Sequence, residues 1–150
     1  MGEPQSVPAL KLEVRRTIKA PREKVFEAWT DPKHLKHWWG AGEKMEACLA
    51  EVDLRVGGQF RLGMKPKDGE AEYIATGEYI KIQPPEMLEF SFSWEGMEGP
   101  NTNMNLQFLE VDGGTEVILT HTGFGDENNM NEHEKGWNGC LDNLQKLLED

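Results

Sequence analysis

Hydrophobic and polar positions alternate strictly at the start of the chain, where Leu10, Leu12, Val14 and Ile18 fall on one face and Lys11, Glu13, Arg15 and Lys19 on the other. That period of two predicts a half-buried strand over 10–20. The period then changes. Val25, Phe26 and Trp29 share a helical face, Pro21 suits a first helical position, and "TDP" at 30–32 ends one short helix and begins another. Asp31 is the expected N-cap and Pro32 the first residue of this second helix, which carries Leu35, Trp38 and Trp39 and stops at Gly40 to Gly42.

Beyond residue 42 the punctuation is that of an antiparallel sheet. "RVGGQF" (55–60), "KDGE" (67–70), "QPPE" (83–86) and "DGGT" (112–115) read as reversals between strand-like runs, giving six further strands. The clearest is "LEFSFSW", with Leu88, Phe90, Phe92 and Trp94 on one face and Glu89, Ser91 and Ser93 on the other. The chain closes on a helical pattern from 129 onward. Met130, His133, Trp137, Cys140, Leu141, Leu144, Leu147 and Leu148 recur at three or four and form a stripe long enough to cross a whole sheet. Gly136 and Gly139 interrupt it at a cost of about 1 kcal/mol each relative to alanine, which predicts that something comes close to the helix backbone there.

Composition narrows the classes. With 150 residues the expectation is a flexible leader over 1–9 and one domain over 10–150. Lys+Arg 16 against Asp+Glu 27 gives a net charge of −11, which argues against nucleic-acid and anionic-membrane partners. Cys48 and Cys140 lack the number and spacing of a disulfide framework or zinc site, so free thiols in a cytoplasmic protein are expected. There is no secretory pattern and no run of eighteen apolar residues. Met1, Gly2 and Ser6 match the short myristoylation pattern, without a second anchoring signal nearby.

Strand, two short helices, six antiparallel strands and a long C-terminal helix is an α+β order that resembles the helix-grip arrangement of the START-like (SRPBCC) superfamily, the birch-pollen-allergen-like fold. There a curved antiparallel sheet of about seven strands wraps the last helix. Five blocks, "IKAPREKVFEAWTDPKHLKHWWG" (18–40), "DLRVGGQFR" (53–61), "GEYIKIQPPEMLEFSFSW" (77–94), "GGTEVILTHTGF" (113–124) and "GWNGCLDNL" (136–144), resemble homologues of the heat-shock-protein-90 ATPase activator C-terminal domain. The resemblance implies a chaperone contact and a stress-response role. The full activator adds an N-terminal domain to that contact, and a second domain is not expected in 150 residues.

Candidate chemistry is sparse. His34 and His37 stand at the i, i+3 spacing by which a helix presents two imidazoles to a metal, but a third ligand would have to come from His121 or a carboxylate, and no metal or cofactor is expected. His121 in "LTHTGF" is either a satisfied structural histidine or a polar group able to orient a ligand or move a proton. Arg16 shares the apolar face of the first strand and needs a partner, for which Glu51 and Asp53, or a ligand carboxylate, are the candidates. "RVGGQF" precedes a strand rather than a helix and so is a hairpin, not a phosphate loop. G-x-S-x-G is absent, and no carboxylate pair stands out.

The leading expectation is a small non-catalytic binding protein that holds a hydrophobic or amphipathic small molecule between the sheet and the C-terminal helix. Strand alternation and helix face choose Phe60, Tyr79, Phe90, Phe92, Trp94, Phe108, His121, Trp137 and Leu141 as its lining, with Trp38 and Trp39 at the mouth. Adjacent helical residues point about 100 degrees apart, so one indole can plug the mouth while the other packs on Phe26 or Trp29. The same residues could instead fill the interior. The alternatives are a protein-interaction module related to the chaperone activators and a polyketide cyclase/aromatase-like enzyme, the latter requiring His121 and Arg16 to face one cavity.

Overall fold

The computed structural model describes residues 10–40, 42–96 and 101–149; the leader and the myristoylation pattern lie outside them. The elements run β1 (Lys11–Ile18), α1 (Arg22–Thr30), α2 (Pro32–Trp38), β2 (Met45–Val52), β3 (Gln59–Pro66), β4 (Tyr73–Gln83), β5 (Met87–Trp94), β6 (Thr102–Val111), β7 (Gly114–Thr122) and α3 (Glu127–Glu149). The strands form one antiparallel sheet in the order β1-β7-β6-β5-β4-β3-β2, curled around α3 as a helix grip.

Alternation sets the inner face. Leu12, Val14 and Ile18 of β1 are buried, as are Leu88, Phe90 and Phe92 of β5, while their neighbours face outward. Register shifts between Ala47 and Leu49 and between Tyr79 and Lys81 bend the sheet into its curl. Gly77, the cross-strand partner of Phe60, tightens it further: a Cβ there would run into the Ser91 carbonyl and lie 2.7 Å from the Phe60 ring. The ring covers the glycine, so the strand keeps a side chain over its bare backbone.

Asp31 is the joint of the two short helices. Its N–H caps α1 by donating to the Glu27 carbonyl at 2.8 Å, and its carboxylate caps α2 by accepting from the Lys33 N–H at 2.9 Å. Two expectations change here. Pro21 lies just outside α1, with φ −64° and ψ 152°; its carbonyl accepts from Lys24 and Val25, so the proline starts the hydrogen-bond ladder without entering the helix. Trp39 is the C-cap of α2 and not a helical residue. The α2–β2 connection turns away because Asn143 of α3 donates to the carbonyls of Gly40 (3.0 Å) and Gly42 (3.2 Å), with Trp38 at 3.5 Å. At Gly42 φ is +95°, which suits glycine alone without strain.

Arg16 also departs from expectation. Its guanidinium reaches α3, with Asp142 at 2.8 Å, Gln145 at 3.2 Å and Asn138 at 3.3 Å. Glu51 instead pairs with Arg61 and Asp53 with Arg55. The reason is topological: β1 and β2 are the two opposite edges of the sheet, and α3 lies against β1.

Candidate functional site

The interior divides into two parts. Under the middle of the sheet, Phe60, Tyr79 and Phe90 meet in edge and tilted contacts at 5.1–6.1 Å. With Trp29, Trp39, Leu62, Leu88 and Phe92 they leave a void of only about 10 Å³, too small for a ligand. Phe108 and Leu141 are fully buried in the same core. Trp38 is buried too, edge-on to Trp29 at 4.7 Å, with its indole N–H donating to the Ala28 carbonyl at 2.9 Å.

The second part is open. Between the β3–β5 strands and the N-terminal half of α3 lies a cleft of about 600 Å³. Its aromatic walls are Trp39, Phe92, Trp94 and Trp137, with Tyr73 at the start of β4; Met45 and Met64 form the adjoining apolar surface, and Asn129, Glu132, His133, Gly136 and Cys140 come from α3. Four of the eleven residues chosen by alternation therefore line it, six lie in the packed core, and Trp38 instead borders a separate, more polar cleft of about 670 Å³ with Lys36, His37, Glu43 and Lys146. Trp39 and Met45 form the partition between the two clefts.

Two hydrogen-bond chains hold the aromatic walls. The Trp137 indole N–H donates to His121 Nδ1 at 3.0 Å, which places the imidazole proton on Nε2, 2.6 Å from Thr102 Oγ1; that hydroxyl donates to the Phe92 carbonyl at 2.7 Å. In parallel, the Trp94 indole N–H donates to His133 Nε2 at 3.0 Å, and His133 Nδ1 faces the Asn129 carbonyl at 2.8 Å. His121 is fully buried, and burial together with neighbouring His133 lowers its pKa to about 3. It is the satisfied structural histidine: both ring nitrogens are engaged, and neither His121 nor Arg16 lines the cleft.

Burial also pushes the Cys140 thiol up to about 12, far from nucleophilic character at neutral pH. The Trp39 indole N–H, though buried, has no hydrogen-bond partner among the described residues. At Gly136, its own stretch of helix aside, no atom of the described residues lies within 4 Å of where a Cβ would stand. What the missing side chain leaves bare is helix backbone facing the cleft.

His34 sits between Asp31 (Nδ1 to Oδ2, 3.3 Å) and Glu27 (Nε2 to Oε1, 3.6 Å). Among the described residues these three form the one group of potential metal ligands with donor atoms within 4.8 Å of one another, and His37 is not part of it.

Several lining residues escaped the sequence reading although their signals were present. Met64 continues the Phe60, Leu62 alternation, and Tyr73 continues that of Ala75 and Tyr79. On α3 the cleft takes Asn129, Glu132, His133 and Gly136 together with Trp137 and Cys140, the last two shared with the buried stripe that continues through Leu141, Leu144 and Leu148; Asn129, Glu132 and Gly136 lie outside the apolar stripe read from the sequence.

Comparison with known proteins agrees with this architecture. The family described as activator of Hsp90 ATPase homolog 1-like protein matches residues 19–149. An AHSA1-like protein from Aeromonas hydrophila is similar at 30% identity, covering 93% of this chain and 92% of its own, with a TM-score of 0.79. A Chromobacterium violaceum protein shares the fold at 21% identity and a TM-score of 0.85, over 93% of this chain and 97% of that one. CalU16 from Micromonospora echinospora shares it at 27% identity and a TM-score of 0.70, over 96% and 81%. No curated protein matches the chain. Among the described residues no helix is long and apolar enough to cross a membrane.

Proposed function

The chain belongs to the activator of Hsp90 ATPase homolog 1-like family, within the START-like superfamily, and from that premise we propose that it is a non-catalytic binding protein for a hydrophobic or amphipathic small molecule. The observation that carries this reading is the open cleft of about 600 Å³ walled by Trp39, Phe92, Trp94 and Trp137. Its size falls within the range of about 300–1,000 Å³ common to small-molecule pockets, and its surface combines apolar walls with a few polar groups.

A cyclase-like reaction finds no support in the pair the sequence suggested. His121 is committed to Trp137 and Thr102, and Arg16 to Asp142, with neither at the cleft.

The test is titration of the intrinsic tryptophan fluorescence with fatty acids, flavonoids, sterols, aromatic polyketides and aromatic amines, in the native protein and in Gly136→Leu. Saturable change with one class, lost in a folded Gly136→Leu variant whose new side chain occupies the cleft, supports the reading. A flat response across the panel rejects it and turns attention to a chaperone contact.

A further inference from the structure

We propose that the cleft selects a lipophilic cation, an aromatic or quaternary ammonium, over a neutral or anionic molecule of the same shape. This rests on the reading of the cleft as a ligand site and adds the charge of the ligand.

The surfaces that the walls can offer are fixed by the hydrogen bonds behind them. The N–H groups of Trp94 and Trp137 are spent on His133 and His121, so neither indole has a donor left for a ligand, and half-buried Trp94 presents ring surface instead. Ring faces carry negative potential and attract cations, tryptophan most strongly. Trp39 stands edge-on to Trp137 at 5.6 Å, Trp137 meets Phe92 at 5.4 Å, and Phe92 and Trp94 meet edge-on at 5.4 Å, so the four rings form one continuous aromatic wall rather than a parallel stack, with half-buried Trp94 its most accessible ring.

Charge points the same way. Among the described residues the one carboxylate at the cleft is Glu132, and neither lysine nor arginine lines it. Lys135 reaches Glu132 only at 3.7 Å, with both side chains mostly exposed, so water screens the pair and the carboxylate remains available to a cation. His133 accepts a hydrogen bond at Nε2 and donates from Nδ1 into its own helix, so its ring brings no free donor to an anion. The Trp39 N–H is a single neutral donor and does not offset the desolvation of a full negative charge. The net charge of −11 adds a field that draws cations and repels anions.

Three probes of nearly identical shape separate the possibilities: benzyltrimethylammonium, its uncharged carbon isostere neopentylbenzene, and phenylmethanesulfonate. Each is titrated into the full chain while the indole N–H resonances are followed by NMR. The expected order is ammonium first, by about tenfold over the hydrocarbon in keeping with the strength of desolvated cation–π contacts, with the sulfonate weakest. Glu132→Gln is expected to weaken the ammonium severalfold and leave the hydrocarbon unchanged. Equal affinity for ammonium and hydrocarbon, or tightest binding of the sulfonate, overturns the cation preference while leaving a ligand cleft in place, and an ammonium affinity untouched in Glu132→Gln overturns the part assigned to the carboxylate. Absence of saturable shifts with all three probes overturns the cleft reading and the preference together.

Discussion

The two halves of the grip use the same kinds of side chain to opposite ends. In the closed half, Phe60, Tyr79 and Phe90 converge from neighbouring strands and leave about 10 Å³. In the open half, Phe92, Trp94 and Trp137 surround about 600 Å³. The difference is made by what stands opposite the sheet. Trp29 of α1 and Trp39 at the end of α2 close the space beneath Phe60, Tyr79 and Phe90, whereas at the cleft α3 presents Gly136, Asn129 and Glu132, which are too small or too polar to fill it. Aromatic residues on a strand thus become core or binding surface according to the side chains set opposite them.

The largest test of this contrast is truncation. Phe90→Ala in the closed half is expected to lower stability by about 3–5 kcal/mol, the range for buried aromatic truncations. Met64→Ala, on the half-buried wall of the cleft, should cost no more than about 1 kcal/mol because solvent already reaches it. Chemical denaturation of both variants measures the difference, and equal losses would erase the distinction between the halves.

Acid acts next, through His121. In the folded protein its pKa is lowered to about 3, against an ordinary value of 6.5. The unfolded chain therefore binds the extra proton first. The stability contributed by keeping His121 neutral is present above pH 6.5 and is lost progressively as pH falls toward 3, by at most about 1.4 kcal/mol per pH unit. Denaturation midpoints recorded from pH 7 to 4 should fall, and His121→Phe should flatten part of the slope even if its stability at pH 7 is lower. The carboxylates of Glu43 and Glu95, held below their usual range by hydrogen bonds from Lys146 and Arg61, add the same sign at the acid end.

Asn143→Ala comes third. It frees the Gly40 and Gly42 carbonyls and the loop that follows Trp39, with an expected cost of about 1–2 kcal/mol. Hydrogen exchange should quicken in 39–45 more than in β5 or β7. The smallest effect has the opposite sign. Gly136→Ala places a methyl group in open space on a helix and is expected to stabilise by about 1 kcal/mol while narrowing the cleft.

Much of the fold was legible because one face of each strand and one stripe of α3 are buried, and periodicity records burial. Leu88, Phe90 and Phe92 show this in β5, and Trp137, Leu141 and Leu144 in α3. Asp31 and Pro32 marked a helix start through local backbone chemistry and needed no tertiary context. The partner of Arg16 was not legible, since Asp142 lies 126 positions away and only the closure of the grip brings it to β1. The division into closed and open halves was hidden for a related reason. Alternation reports that Phe60 and Trp94 face inward, but whether space remains there depends on which side chains stand opposite, Trp29 and Trp39 in one case and Gly136 in the other. The glycine at 136 was the available clue: its missing side chain belongs to the cleft, and no other part of the described protein occupies the space.

The most direct measurement is an NMR titration of the five indole N–H resonances with naphthalene, an aromatic probe small enough for the open half and too large for the closed one. Saturable shifts of Trp39, Trp94 and Trp137 with a common Kd, while Trp38 stays still against Ala28, are the expected result. Unmoved resonances, or equal shifts of all five, would contradict the division of the grip into a packed half and a receptive one.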